Sequence, residues 1–156
     1  MITIRKATKS DLNDLVDLWQ ELMDYHIKLE VDALLLKKNS RSLIRSFFIK
    51  NIKGKDSLVL IAKDGKKSIG YIMCFVKEVP PVYVEDKMGY ISDGYIVKGY
   101  RCKGIMTKMI KQAKLFFKKK KMKHIFLRAN TRNKNGWNSW GKMGFKEGAK
   151  EMYLKL

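Results

Sequence analysis

Negative charge, cysteine and long apolar runs are what this sequence has least of. Its 15 Asp and Glu stand against 34 Lys and Arg, a net charge of +19 with pI near 9.9. Such an imbalance draws polyanions, including phosphorylated cofactors, acidic proteins and nucleic acids. The lysines recur in every segment, mostly on the solvent side of helices, and no DNA- or RNA-reading motif accompanies them. A lysine-rich or heat-adapted surface gives the same pattern, so specific nucleic-acid binding is not expected. Cys74 and Cys102 are the only cysteines, without CxxC spacing or a histidine cluster. That argues against a disulfide framework and against a metal site, and suits a reducing, cytoplasmic setting. No apolar run nears the ~20 residues that cross a bilayer, and the opening MITIRKATKSDL lacks a signal-peptide core, so no membrane partner is expected. Proline occurs only at Pro80-Pro81, where it stops a strand-like run.

What is present is enough for a single domain spanning residues 1–156, since 18.2 kDa with 46% hydrophobic residues can bury a real core. Ile2 and Ile4 alternate with Thr3 and Arg5 as a first strand ending near Ala7. Ser10 is placed to cap a helix whose apolar face is Leu12, Leu15, Val16, Trp19, Leu22 and Met23, running from Asp11 to about Tyr25. A second helical segment follows from about Asp32 to Lys50, broken near Asn39 and Ser40. Ser57–Lys63 and Ser68–Lys77 read as strands joined at Asp64-Gly65, a hairpin turn that needs positive φ. Towards the end, His124–Ala129 reads as a short buried strand. A short helix then ends at Gly144, and a last strand or hairpin runs from Phe145 to Leu156.

The stretch Met88–Lys119 organises the rest. Tyr90, Ile91, Tyr95, Ile96 and Val97 suit a strand; beyond Gly99 the apolar residues fall on one helical stripe at Met106, Met109, Ile110, Ala113, Phe116 and Phe117. A strand thus passes into a helix through a turn holding Arg101, Lys103 and Gly104. Unpaired N–H groups and the positive end of the helix dipole make that turn an anion site, and the two cations suit a pyrophosphate. The strand–helix–strand order also implies a right-handed parallel crossover. At the end of the first helix, Asp24, Tyr25, His26, Glu30 and Asp32 concentrate acid and aromatic character in a basic protein. They suit an amine pocket, and a solvated interhelix loop is the commoner reading.

Two motifs carry a family resemblance. Arg101-Cys102-Lys103-Gly104-Ile105-Met106 resembles the coenzyme A signature of the GNAT N-acetyltransferases: Arg or Gln, two residues, Gly, one residue, then Gly or Ala. Asn133, Gly136, Trp140, Gly144 and Phe145 match the family's Asn-x-x-Ala…Tyr-x-x-x-Gly-Phe spacing. The resemblance spans essentially the whole chain and implies an α/β fold with a mixed sheet, splayed between its fourth and fifth strands to hold acetyl-coenzyme A. It implies that backbone groups near Tyr95, Ile96 and Val97 bind the pantetheine as an added strand, that amides from Cys102 through Lys103, Gly104, Ile105 and Met106 to Thr107 hold the pyrophosphate, and that Asn133 and Trp140 flank the cofactor. The acceptor would be a small-molecule amine or a protein N-terminus, in a homodimer or a monomer.

Departures from the family pattern bear on the chemistry. Met106 stands where Gly or Ala is preferred, beside the expected pyrophosphate. Trp140 stands where many members carry a tyrosine acid, and an indole N–H is a poor acid. Ser92 and Arg128 occupy places where relatives carry a glutamate base. The transfer could then proceed by direct attack of a neutral amine on an oriented thioester. Asp93 is the candidate base, if a bulge turns it inward, and Tyr95 is the candidate acid, with Tyr90 and Tyr153 behind it. Against this N-acetyltransferase reading stand a noncatalytic coenzyme A-binding module and, with less support, a basic nucleic-acid-binding domain.

Overall fold

The structure, a computed structural model, describes residues 1–29, 35–154 and 156. Its elements run β1 (Ile2–Lys6), α1 (Leu12–Ile27), α2 (Ser40–Lys53), β2 (Ser57–Asp64), β3 (Lys67–Glu78), β4 (Lys87–Ile96), α3 (Ile105–Lys119), β5 (Ile125–Leu127) and α4 (Lys134–Lys142). The five strands form one sheet in sequence order, antiparallel from β1 to β4, with β5 parallel to β4. The β4–α3–β5 connection is therefore the parallel crossover that the strand–helix–strand pattern implied.

Two apolar layers sandwich the sheet, and β2 shows why. Its run of buried residues alternates, so Leu58, Leu60 and Ala62 pack with Ile105, Met109, Ala113 and Phe117 of α3. Val59 and Ile61 face the other way, against Leu15, Trp19 and Leu22 of α1 and Phe48 of α2. A strand covered on both faces reads as continuously apolar, which is what β2 and β3 do. Gly89 lets α3 approach β4, because a Cβ there would lie 2.8 Å from the Phe117 ring.

Several expectations are corrected in detail. Ser10 is not the cap: it sits within a 3-10 turn (Lys9–Asp11), and the buried Asp11 carboxylate accepts the Thr8 N–H at 2.8 Å. That carboxylate also takes Arg5 at 2.7 and 2.8 Å and Lys63 at 3.2 Å, and the Arg5 bonds hold its pKa well below the usual carboxylate range. Helix α2 starts at Ser40; its predicted start at Asp32 lies outside the described residues. Strand β5 is only Ile125–Leu127, and no strand follows Gly144 among the described residues. The expected pairing from Phe145 onward does not form; Met152, Tyr153 and Leu154 stand exposed, so no buried apolar face holds a strand there.

Candidate active site

Strand β4 is longer than its parallel partner. Only Gly89, Ile91 and the residue between them pair with β5, so from Ser92 to Ile96 the β5 side of β4 is open. Val97 donates its N–H to Ile69 of β3 at 2.9 Å. Because both groups of a residue point the same way in an antiparallel strand, the N–H and C=O of Gly94 and Ile96 project into this opening. The predicted edge of Tyr95, Ile96 and Val97 thus narrows to alternate residues, with Tyr95 and Val97 directed at β3.

At the mouth of the opening the chain turns through Lys98–Tyr100 and enters α3 at Gly104, whose φ of +72° is the left-handed conformation glycine tolerates. Cys102, exposed, holds φ +60°, a strained value for a residue with a Cβ. No side chain caps α3, and its first backbone bond is Lys108 N–H to Gly104 O, so the amides of Ile105, Met106 and Thr107 are without helical partners. The turn has the geometry of an anion cradle.

Arg101 does not extend towards that cradle. Its Nε donates to the Ile96 carbonyl at 2.9 Å, and its guanidinium lies 5.6 and 5.9 Å from the ring centres of Tyr95 and Tyr25. Tyr95 Oη donates to Glu21 of α1 at 2.9 Å. Tyr25 Oη donates to Asn133 Oδ1 at 3.2 Å, and the same oxygen accepts the Gly136 N–H at 2.9 Å, capping α4. His26 stacks obliquely beside Tyr25, with 6.1 Å between ring centres, and Glu30 lies outside the described residues. The end of α1, the end of β4, the Arg101 turn and the start of α4 therefore meet at one place.

Met106 and Trp140, both departures from the family pattern, are neighbours. A Cβ at Gly94 would lie 3.1 Å from Met106 Cε and 3.2 Å from the Trp140 indole, so the two side chains converge on the bare backbone of β4 from the α3 side. Met106 turns towards the sheet instead of into the phosphate turn. Trp140 packs edge-on to Phe145 at 5.6 Å.

The bulge that Asp93 needs is present. Met73 pairs with Asp93 and Cys74 with Ile91, leaving Ser92 as the extra residue. Without it, Asp93 would share a face with Ile91, in the α3 core. With it, Asp93 lies on the α1/α2 face with Tyr71, Met73 and Tyr95. Desolvation raises its pKa, opposed by a Ser92 hydroxyl bond of 3.0 Å. Tyr71 is fully buried with an unpartnered Oη, and its pKa is pushed well up by burial and by Asp93 and Tyr95 nearby. Burial also raises Tyr95, aided by Glu21. Tyr90 is instead engaged by Lys77 at 4.8 Å and Arg128 by Glu151, while Tyr153 lies in the exposed tail.

Glu21 and Tyr71 escaped the sequence reading. Asp14, Asp17, Glu21 and Asp24 form an acidic stripe at helical spacing in α1 that would have flagged the first; Tyr71 sits in a buried apolar run without any signal. Two grooves among the described residues lie off this site: an apolar one of about 360 Å³ around Trp19, Leu43 and Phe47, and one of about 270 Å³ around Lys134 and Trp137. Among the described residues there is no cluster that could hold a metal, and no helix is long and apolar enough to cross a membrane.

A mixed sheet opened between β4 and a short parallel β5, with an uncapped helix N-terminus at its mouth, defines the fold class as that of acetyltransferases. Residues 15–145 match the Acetyltransferase (GNAT) family, and the chain belongs to that family. Among solved structures, a Bacillus halodurans protein, crystallised as a tetramutant, is similar with TM-score 0.84 at 24% identity over 99% of each chain. A predicted acetyltransferase from Clostridium acetobutylicum, solved with acetyl-CoA, is 25% identical over 99% of this chain and 96% of its own, with TM-score 0.77. An aminoglycoside antibiotic 6'-N-acetyltransferase from Acinetobacter haemolyticus shares the fold at 19% identity and TM-score 0.77, over 99% of this chain and 97% of its own. Among curated proteins, none matches the sequence.

Proposed function

We propose that this chain is an N-acetyltransferase that moves an acetyl group from acetyl-coenzyme A to a primary amine by direct attack, without a covalent enzyme intermediate. The observation that carries this reading is the Ser92 bulge, which puts a carboxylate, Asp93, on the α1/α2 face where β4 loses its β5 partner. The residues fit the donor: free amides at the start of α3 suit its pyrophosphate, and the outward groups of Gly94 and Ile96 suit its pantetheine amides. The bound thioester supplies an activated acetyl group.

In this reading the chain's own residues supply the rest. Arg101 gives up the Ile96 carbonyl and turns to the phosphates. Glu21 and Asp24, in a helix with no Lys or Arg, attract the ammonium of the acceptor. Asp93 takes its proton; a carboxylate with a raised pKa is a stronger base than an ordinary one. Tyr95, held by Glu21, is the hydroxyl donor on the same face, and Asn133 and Trp140 wall the far side. The acceptor is a small amine, in keeping with the aminoglycoside acetyltransferases among the similar folds, with a protein N-terminus as the rival. The setting is a reducing cytoplasm, which suits two unbridged cysteines.

Trp140 in place of a tyrosine favours a second reading, a coenzyme A binder without chemistry. Two measurements separate the readings. Acetyl-CoA at millimolar concentration should raise the melting temperature; no shift would remove both. Thiol release with a panel of amines should then exceed the amine-free rate; binding without release would leave only the binder.

A further inference from the structure

The positive charge is not evenly distributed. Residues 94–146 contain 16 Lys and Arg and no Asp or Glu, whereas residues 1–93 contain 16 and 13. The acid-free segment builds the end of β4, α3, β5 and α4. Across the sheet, the four acids of α1 are balanced by the four Lys and Arg of α2. The molecule is electrically polarised, with α3 on its positive side. A lysine-rich composition alone does not empty about a third of the chain of its acids.

The cofactor does not account for this charge. A phosphate cradle at the start of α3 engages the N-terminal end of a 15-residue helix, and the run Lys118–Lys121 begins about 20 Å further along it. Along α3 and the run that follows it, Lys108, Lys111, Lys118, Lys119 and Lys121 are exposed, and none is in an ion pair among the described residues. The acids that reach this segment come from outside it: Asp56 to Lys120, Glu85 to Lys123 and Glu151 to Arg128. Leu115 is the one large apolar side chain exposed on α3. A face of unpaired ammonium groups with so little apolar surface can neutralise phosphates but has little to insert into a lipid layer.

We infer that the exposed face of α3, continued through Lys121, is a docking surface for the phosphodiester backbone of a nucleic acid, bound without regard to sequence. This surface is separate from the acetyl-transfer site and does not depend on that reading.

Fluorescence anisotropy of the full chain with a labelled random-sequence RNA of about 20 nucleotides tests it, titrated between about 50 and 200 mM KCl. The triple variant K111Q/K118Q/K119Q should bind at least about tenfold more weakly and flatten the log–log salt slope by about two units. The conservative K111R/K118R/K119R should bind like the original chain, and K37Q/K38Q/K50Q, which removes the same charge elsewhere, should lose less than about threefold. Melting temperatures of the variants confirm that they fold. Equal losses in the two glutamine sets would reduce the effect to net charge and overturn the surface. Tighter binding to phosphatidylserine vesicles than to RNA at equal salt would overturn the choice of partner.

Discussion

Tyr25 Oη donates to Asn133 Oδ1 at 3.2 Å, a bond between residues 108 positions apart that ties the end of α1 to the cap of α4. It joins the α1 side of the opening beside β4 to the α4 side. Tyr25→Phe should remove about 1 kcal/mol of stability and raise KM for the amine more than it lowers kcat. Asn133→Ala should cost more, about 1–2 kcal/mol, because the α4 cap goes with it. Thermal melts and amine kinetics check both; equal losses in the two variants would disconnect the bond from the cap.

Asp93 can be tested through activity and stability together. Its pKa is raised in the folded state by desolvation, so the folded chain holds its proton more tightly, and stability falls as pH rises from the unfolded value through the folded one. Asp93→Asn should therefore melt higher than the original chain at neutral pH. If Asp93 is the base, the same variant loses about 10²-fold in kcat and the acid limb of the pH–rate profile disappears. Unchanged kcat would take Asp93 out of the chemistry.

Asp11 behaves in the opposite sense. Arg5 and its other partners hold its pKa down, so its contribution is present above the ordinary carboxylate range and is lost as pH falls through it towards the folded value. Asp11→Asn should flatten the loss of stability below about pH 4. Asp11→Ala should cost about 2 kcal/mol at neutral pH, less than a wholly buried pair because Arg5 is 44% exposed. Melts across pH 2–7 check it; a parallel acid loss in Asp11→Asn would place the sensitivity elsewhere.

Gly94 leaves room for Met106 and Trp140. Adding a methyl group puts it 3.1 and 3.2 Å from the two, so Gly94→Ala should destabilise by about 1–3 kcal/mol and weaken acetyl-CoA binding. Met106→Ala in the same chain should recover part of the loss, since it removes one of the two close contacts. A double-mutant cycle in stability gives the coupling; strictly additive effects would mean that the contact is not tight.

The Tyr71 hydroxyl is fully buried without a protein partner. Tyr71→Phe should leave stability unchanged or raise it by about 1 kcal/mol, since burying an unpaired hydroxyl costs about that much. A fall of more than about 1 kcal/mol would mean that the hydroxyl has a partner.

Much of the fold was legible because it rests on local rules. The Asp64-Gly65 turn between two apolar runs gives β2 and β3, with Gly65 at φ +57°. The stripes of α1 and α3 give their buried faces, and Gly144, at φ +94°, marks where α4 has ended. The turn into α3 was legible for the same reason: Gly104 and an uncapped helix start are neighbours in sequence. The length of β5 and the tail after Phe145 were not, because a strand's extent is set by the partner and by the cover it finds.

The residues themselves determined a basic chain, a mixed α/β order and a strand-to-helix turn at Gly104, because propensity, turn chemistry and charge act over a few positions. Tertiary structure alone decided which face of the sheet Asp93 occupies. One unpaired residue, Ser92, moves Asp93 across the sheet, and the pairing that creates that bulge lies with Met73 and Cys74, some twenty residues away. The same holds for Arg101, whose place between Tyr25 and Tyr95 exists only once α1 and β4 have been packed side by side.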